Sequence, residues 1–240
     1  MNFRNLPWDS RFFGCRVARL DIDNDCSLMD LKSFCATPPL FDVCYIFNRS
    51  ETREINQFIV ESGAVLYDQK VTFRKTLSQA KIYPVSEVVE LSSPTLEIIA
   101  LAIASGVNSR YYLDPLFRPK QSALYERWIM NCFEDPCGKV FGIYQSGTLA
   151  AVAGATFADR CGHLELIAVD PRFRRLGMAK KLINAAENFY SINGNSYAEV
   201  VTQKNNLPAC ATYSSCGYEQ SDFVEVWHWW RRKQNSVEDI

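Results

Sequence analysis

Histidine is scarce in this chain, with only His163 and His228 in 240 residues. No CxxC pair accompanies the nine cysteines, and with two histidines no zinc-ligand set can be written and no metal is expected. The cysteine count is odd, and Cys44, Cys132 and Cys161 lie in or beside hydrophobic runs. That pattern reads as reduced, buried thiols rather than a disulfide framework. Excess charge of either sign is also missing. A formal net charge of −1 excludes a chain-wide surface for nucleic acid, so any phosphate recognition must be local. The longest uninterrupted apolar run, residues 98–104, is too short to span a bilayer. The opening MNFRNLPWDSRFFG lacks the apolar centre of a signal peptide. These absences predict a cytoplasmic protein that does not enter the membrane.

What is present suits a packed protein of one large or two small domains, with 48% hydrophobic residues. Apolar periodicity predicts strands at 17–22 and 43–47 and helices at 28–35 and 51–62, the second capped by Gly63. Residues 65–73 read as paired strands turning at Asp68-Gln69. A linker follows over 79–93, with Ser92-Ser93-Pro94 as a helix start signal. Helices are expected at 96–105 and 124–133, separated by an aromatic and basic loop at 109–121. Residues 139–157 form a hairpin turning at Gln145-Ser146-Gly147. A strand at 197–202, a short helix at 209–215 and a final hairpin at 217–231 complete the pattern. The segment from Gly63 to Arg74 echoes that from Gly217 to His228, each a capping glycine leading into strand residues that end in aromatics. Internal duplication and generic helix–hairpin physics both account for the echo.

The stretch HLELIAVDPRFRRLGMAKKL, residues 163–182, concentrates the chemistry. Leu164, Leu166, Ile167, Ala168 and Val169 read as a buried strand, stopped by Asp170-Pro171. Met178, Leu182, Ile183 and Ala186 then recur at helical spacing. Between them, Arg174-Arg175-Leu176-Gly177-Met178-Ala179 would set backbone N–H groups at the positive end of a helix, where an anion binds. The same residues also suit an ordinary strand-to-helix connection with a solvated basic face.

Three segments together go further. Val169-Asp170-Pro171-x-x-Arg174-x-x-Gly177-x-Ala179 resembles the acetyl-CoA pyrophosphate loop of the GNAT acetyltransferases. Asn206-x-x-Ala209-x-x-x-Tyr213-x-x-x-Gly217-Tyr218 resembles the motif that follows it in that family, and the strand order before the loop agrees. The resemblance covers residues 94–231, and its mild departure is Ala179, where many members carry Gly. It implies an α/β fold with a mixed sheet, the GNAT acyl-CoA N-acyltransferase fold over 94–232. A smaller truncated GNAT-like domain would occupy 1–78, and a flexible tail 233–240. A narrower resemblance, to the TDP-fucosamine acetyltransferase group, rests on Trp8-Asp9-Ser10-x-Phe12-Phe13-Gly14 and Ser109-Arg110-Tyr111-x-x-Asp114-x-x-Phe117 with Tyr125-x-x-Trp128. That group acetylates the amine of a dTDP-linked amino-deoxy sugar for polysaccharide biosynthesis.

The resemblance assigns roles. Backbone groups of Arg175, Leu176, Gly177, Met178 and Ala179 would hold the pyrophosphate of acetyl-CoA, with Arg174 and Lys180 as counter-charges. Ile167, Ala168 and Val169 would pair with the pantetheine arm, Ile167 or Ala168 N–H meeting the oxyanion. Asn206, or Asn205 beside it, and Ala209 would line the CoA arm. Tyr213 is the candidate acid for the departing thiolate. Glu165 is the first candidate base and His163, at the strand start, the second; loss of the amine proton to solvent is the third option. Arg110, Tyr111, Tyr112 and Arg118 would meet the nucleotide of a nucleotide-linked amino sugar, or simply pack over the sheet. A homodimer is expected from the family. Another small amine, a peptide N-terminus, or acyl-CoA binding without catalysis are the alternatives.

Overall fold

The computed structural model describes residues 1–78 and 82–231, so the expected tail lies outside the described residues, as does part of the expected linker. In chain order the elements are β1 (Asn2–Asn5), α1 (Pro7–Phe13), β2 (Val17–Ile22), α2 (Leu28–Ala36), β3 (Val43–Asn48), α3 (Arg53–Glu61) and β4 (Val65–Thr76). They continue with β5 (Val89–Leu91), α4 (Leu96–Ser105), α5 (Arg110–Leu113), α6 (Gln121–Glu134), β6 (Lys139–Gln145), β7 (Thr148–Ala158) and β8 (Cys161–Val169). The last are α7 (Met178–Ile192), β9 (Tyr197–Gln203), α8 (Leu207–Ser215) and β10 (Glu219–Trp230).

The chain divides into two compact units, one of Met1–Gln69 with the described residues from Phe223 onward, the other Lys70–Asp222. The first carries strands in the order β1-β2-β3-β10, with β2 and β3 parallel across the α2 crossover. Its core gathers Leu20, Ile22, Leu31, Phe41, Ile46, Ile55, Ile59 and Trp227. Alternation along β2 and the 55/59 spacing on α3 deliver these residues to one side.

In the second unit the order is β4-β9-β8-β7-β6-β5, with β8 and β9 parallel and the other paired neighbours antiparallel. The sheet is therefore mixed, and α7 is the crossover that parallel strands require. Ile98 and Ala102 of α4 and Ile129 and Cys132 of α6 pack on Val152, Leu166 and Ala168. Phe189 of α7 meets Phe157, which by strand alternation lies on the opposite face of β7 from Val152.

Two expected hairpins are absent. Residues 65–73 belong to the single strand β4, and 219–230 to the single strand β10. Asp68, read as a turn residue, is buried within β4. The aromatic and basic loop also contains structure, because Ser109 accepts from Tyr112 N–H at 3.4 Å and starts α5, and Arg118–Lys120 is a 3-10 turn. The echo between the two halves persists in topology. Strand, helix, parallel strand, helix, glycine, strand describes β2-α2-β3-α3-Gly63-β4 and β8-α7-β9-α8-Gly217-β10 alike. Both glycines hold φ +84, a left-handed value that closes the preceding helix.

Candidate active site

β8 and β9 pair only over Cys161–Leu164 and Tyr197–Val200. Beyond Leu164 the two strands part, and the edge of β8 from residue 165 to 169 faces β9 without a ladder among the described residues. Asp170 N–H donates to Ala150 O at 2.9 Å, so by antiparallel alternation Ala168 spends its backbone groups on Val152 of β7. Of the three expected residues only Ile167 and Val169 turn theirs to that edge, for a partner other than β9. Glu165 stands where the strands part. Gly154 pairs with Leu166 and Ala155 with Leu164, so Glu165 is the extra residue of a β-bulge. Its side chain is exposed and accepts from Thr156 Oγ1 at 2.6 Å. The strand begins earlier than expected, so His163 is not at its start but half-buried within it.

Beyond the β8 edge the chain turns into α7. Asp170 accepts from Arg172 N–H at 2.9 Å and from its guanidinium at 2.7 Å. Those bonds, the side-chain one foremost, hold the Asp170 carboxyl below its ordinary pKa. Arg174 Nε donates to Val169 O at 3.4 Å. Arg175 and Gly177 take left-handed φ values of +64 and +74, and such alternation turns successive N–H groups toward one concavity. Helix α7 begins with no side-chain cap, and its first hydrogen bond is Lys181 N–H to Gly177 O at 3.2 Å. Among the described residues, the N–H groups of Met178, Ala179 and Lys180 meet no acceptor. They stand at the positive end of a fifteen-residue helix. Arg174, Arg175, Leu176, Gly177 and Lys180 are exposed, whereas Met178 turns into the core. This donor set fits a diphosphate, which needs several convergent N–H groups and local positive charge.

Asn206 caps α8, accepting from Ala209 N–H at 3.4 Å and donating to Thr202 Oγ1 at 3.2 Å. Asn205 is exposed. Tyr213, two turns along α8, is 3% exposed, and its ring lies 5.8 Å from Phe73 and 6.3 Å from Tyr218. Burial raises the Tyr213 phenol well above the ordinary tyrosine pKa. Behind it is a network that sequence spacing could not show. Lys75 Nζ donates to both carboxylate oxygens of the buried Glu187 at 2.7 and 2.8 Å, to Tyr83 Oη at 3.1 Å and to Cys216 O at 2.7 Å. Through Cys216 it fastens the end of α8.

The four residues expected at a nucleotide separate into two pairs. Arg110 and Tyr111 are buried, the guanidinium donating to the phenol, with Tyr111 against Phe117 and Trp128. Tyr112 and Arg118 are exposed and come together, Arg118 Nε donating to Tyr112 O at 2.7 Å with its guanidinium 5.0 Å from the Tyr112 ring centre.

Residues 89–218 match the family described as "Acetyltransferase (GNAT) family". Among solved structures, a functionally unknown conserved protein from Staphylococcus epidermidis superposes with a TM-score of 0.62 at 11% identity, covering 95% of this chain and 91% of that one. A GNAT-family acetyltransferase from Colwellia psychrerythraea gives 0.54 at 11% identity, covering 96% and 100%. A tandem GNAT protein from the clavulanic acid biosynthesis pathway gives 0.55 at 12% identity, covering 89% and 77%. At these identities the likeness is one of fold.

Proposed function

The chain belongs to the acetyltransferase (GNAT) family, enzymes that move an acyl group from acyl-CoA to an amine, and we propose that its acceptor is the amine of a nucleotide-linked amino-deoxy sugar. The observation that carries the donor half is the parting of β8 and β9 beyond Leu164, with the uncapped end of α7 following the free edge. In this reading the acetyl-CoA diphosphate lies on N–H groups from Arg175 to Lys180, flanked by the charges of Arg174 and Lys180. The pantetheine arm runs along Ile167, Ala168 and Val169 toward the bulge, with Asn206 and Ala209 on its far side.

Transfer then needs few groups, because two clamped substrates gain most of their rate from proximity. The neutral amine attacks the thioester carbonyl while the N–H of Ile167, which faces the open edge as that of Ala168 does not, holds the developing oxyanion. The amine proton passes to Glu165, directly or through water. The C–S bond breaks, and Tyr213 gives its proton to the CoA thiolate. Tyr112 and Arg118 receive the nucleotide of the acceptor, with Arg110 and Tyr111 as the buried support beneath them. Support for the sugar acceptor comes from the TDP-fucosamine acetyltransferase-like motifs at 8–14 and 109–128, and from the exposed Tyr112–Arg118 stack, which suits a base and a phosphate. The truncated GNAT-like domain expected at 1–78 corresponds to the unit of Met1–Gln69 with the described residues from Phe223, and the catalytic domain expected at 94–232 to the unit Lys70–Asp222. The same reading carries a cytoplasmic location and a homodimer.

The test is thiol release from acetyl-CoA by the purified chain, offered dTDP-linked amino sugars, polyamines and peptides in parallel. Release with the nucleotide sugars is expected to exceed the others. Release with a polyamine or peptide alone would overturn the acceptor while leaving the donor chemistry intact.

A further inference from the structure

Parallel pairing of β8 with β9 places residues from distant parts of the sequence side by side. Cys161 and His163 share one face of β8 by alternation, and Glu199 is the register partner of His163. The Cys161 sulfur, a His163 ring nitrogen and a Glu199 carboxylate oxygen all lie within 4.8 Å of one another. We propose that this trio binds one zinc-like divalent cation, with water in the fourth position. The proposal is independent of the acetyl acceptor.

Donor chemistry selects the metal. A thiolate, an imidazole and a carboxylate suit zinc and its neighbours, whereas magnesium and calcium call for oxygen ligands. Two anionic ligands balance a dication. Burial pushes the Cys161 thiol pKa up, a cost that the bond to the metal has to meet. The Cys161 thiol makes only a weak contact with Gly162 O at 3.6 Å and yields its proton to solvent on binding. Glu199 is held by Arg74 at 3.4 Å, a long and partly exposed pair of the weak surface kind. Arg74 also rests on the Tyr197 ring, 4.2 Å from its centre, and keeps that seat when Glu199 turns to a cation. His163 and Glu199 sit one register pair before the point where β8 and β9 part. A metal there pins the two strands together at the closed end of the gap.

Cobalt(II) titration of the full chain under reducing conditions tests this, because a cobalt–thiolate bond gives a charge-transfer band and a tetrahedral site gives intense d–d absorption. One equivalent is expected to bind and to be displaced by zinc. Cys161→Ser should abolish the charge-transfer band. His163→Asn and Glu199→Gln should each weaken binding by about 100-fold or more, beyond the roughly 10- to 100-fold that loss of a second-shell partner costs. Arg74→Gln should tighten binding about tenfold, since it removes a competing cation. That gain cannot come from a variant that fails to fold. A band that survives Cys161→Ser, affinity unmoved by Arg74→Gln, or no saturable band in the unaltered protein would each overturn the site.

Discussion

Tyr213 is buried between Phe73 and Tyr218, and that burial raises its pKa, which makes it a poorer acid but one that stays protonated across the pH range of folded protein. A thiolate leaving from acetyl-CoA needs a proton only as the C–S bond breaks, so an undissociated phenol held in place suffices. Tyr213→Phe removes the hydroxyl and keeps the ring packing. Turnover is expected to fall about 100-fold or more while acetyl-CoA affinity by calorimetry stays unchanged, the signature of an interaction made only in the transition state. Unchanged turnover would remove Tyr213 from the chemistry and leave thiolate protonation to water.

Among the elements, the connection from β8 to α7 carries the donor site, and its sharpest test is Gly177. Its φ of +74 suits glycine, tolerates asparagine and penalises a β-branched residue, at roughly 1–2 kcal/mol. A Cβ there would touch no protein atom within 4 Å, so Gly177→Asn should leave stability almost untouched. Gly177→Val is expected to weaken acetyl-CoA binding about tenfold or more by calorimetry, from backbone strain together with a blocked phosphate approach. Normal affinity in the valine variant would refute the cradle. This connection was legible in the sequence because everything that forms it is local: apolar run, Asp-Pro stop, basic turn and helical spacing within twenty residues. The hairpins expected at 65–73 and 217–231 failed for the converse reason. Asp68-Gln69 and Ser221-Asp222 have turn chemistry, but β4 and β10 run straight through them, and pairing of the residues that follow, 70–76 with β9 and 225–230 with β3, outweighs local preference. Arg110 and Tyr111 looked like surface recognition groups because nothing nearby in sequence reveals that Phe117 and Trp128 close over Tyr111. Cys161, His163 and Glu199 became a set only through register.

At the scale of the whole molecule, the buried thiols and phenols whose pKa departs from the ordinary value all shift upward. Burial pushes the Cys35 thiol up to about 11 and the Cys132 thiol up to about 12. It also raises the Cys44 thiol and the phenols of Tyr190, Tyr213 and Tyr218. For Lys75 burial, the largest single influence, acts downward, but hydrogen bonds to Glu187 and Tyr83 together outweigh it and the net shift is upward. In each case the folded chain holds its proton more tightly than the unfolded chain, where thiols ionise near ~8.5, tyrosines near ~10 and lysine near ~10.4. Their contribution to stability is therefore complete below the unfolded values and drains away as pH climbs toward the folded ones. Both compact units hold such groups, Cys35 and Cys44 in one and Cys132, Tyr213 and Lys75 in the other. The urea midpoint, followed under reducing conditions, should stay level from about pH 7 to 8.5 and then fall steadily through pH ~11. Thiols should dominate the early part of that fall, and tyrosines with Lys75 the later part. A midpoint that holds constant to pH ~10.5 would mean that these side chains reach solvent far more freely than their packing allows.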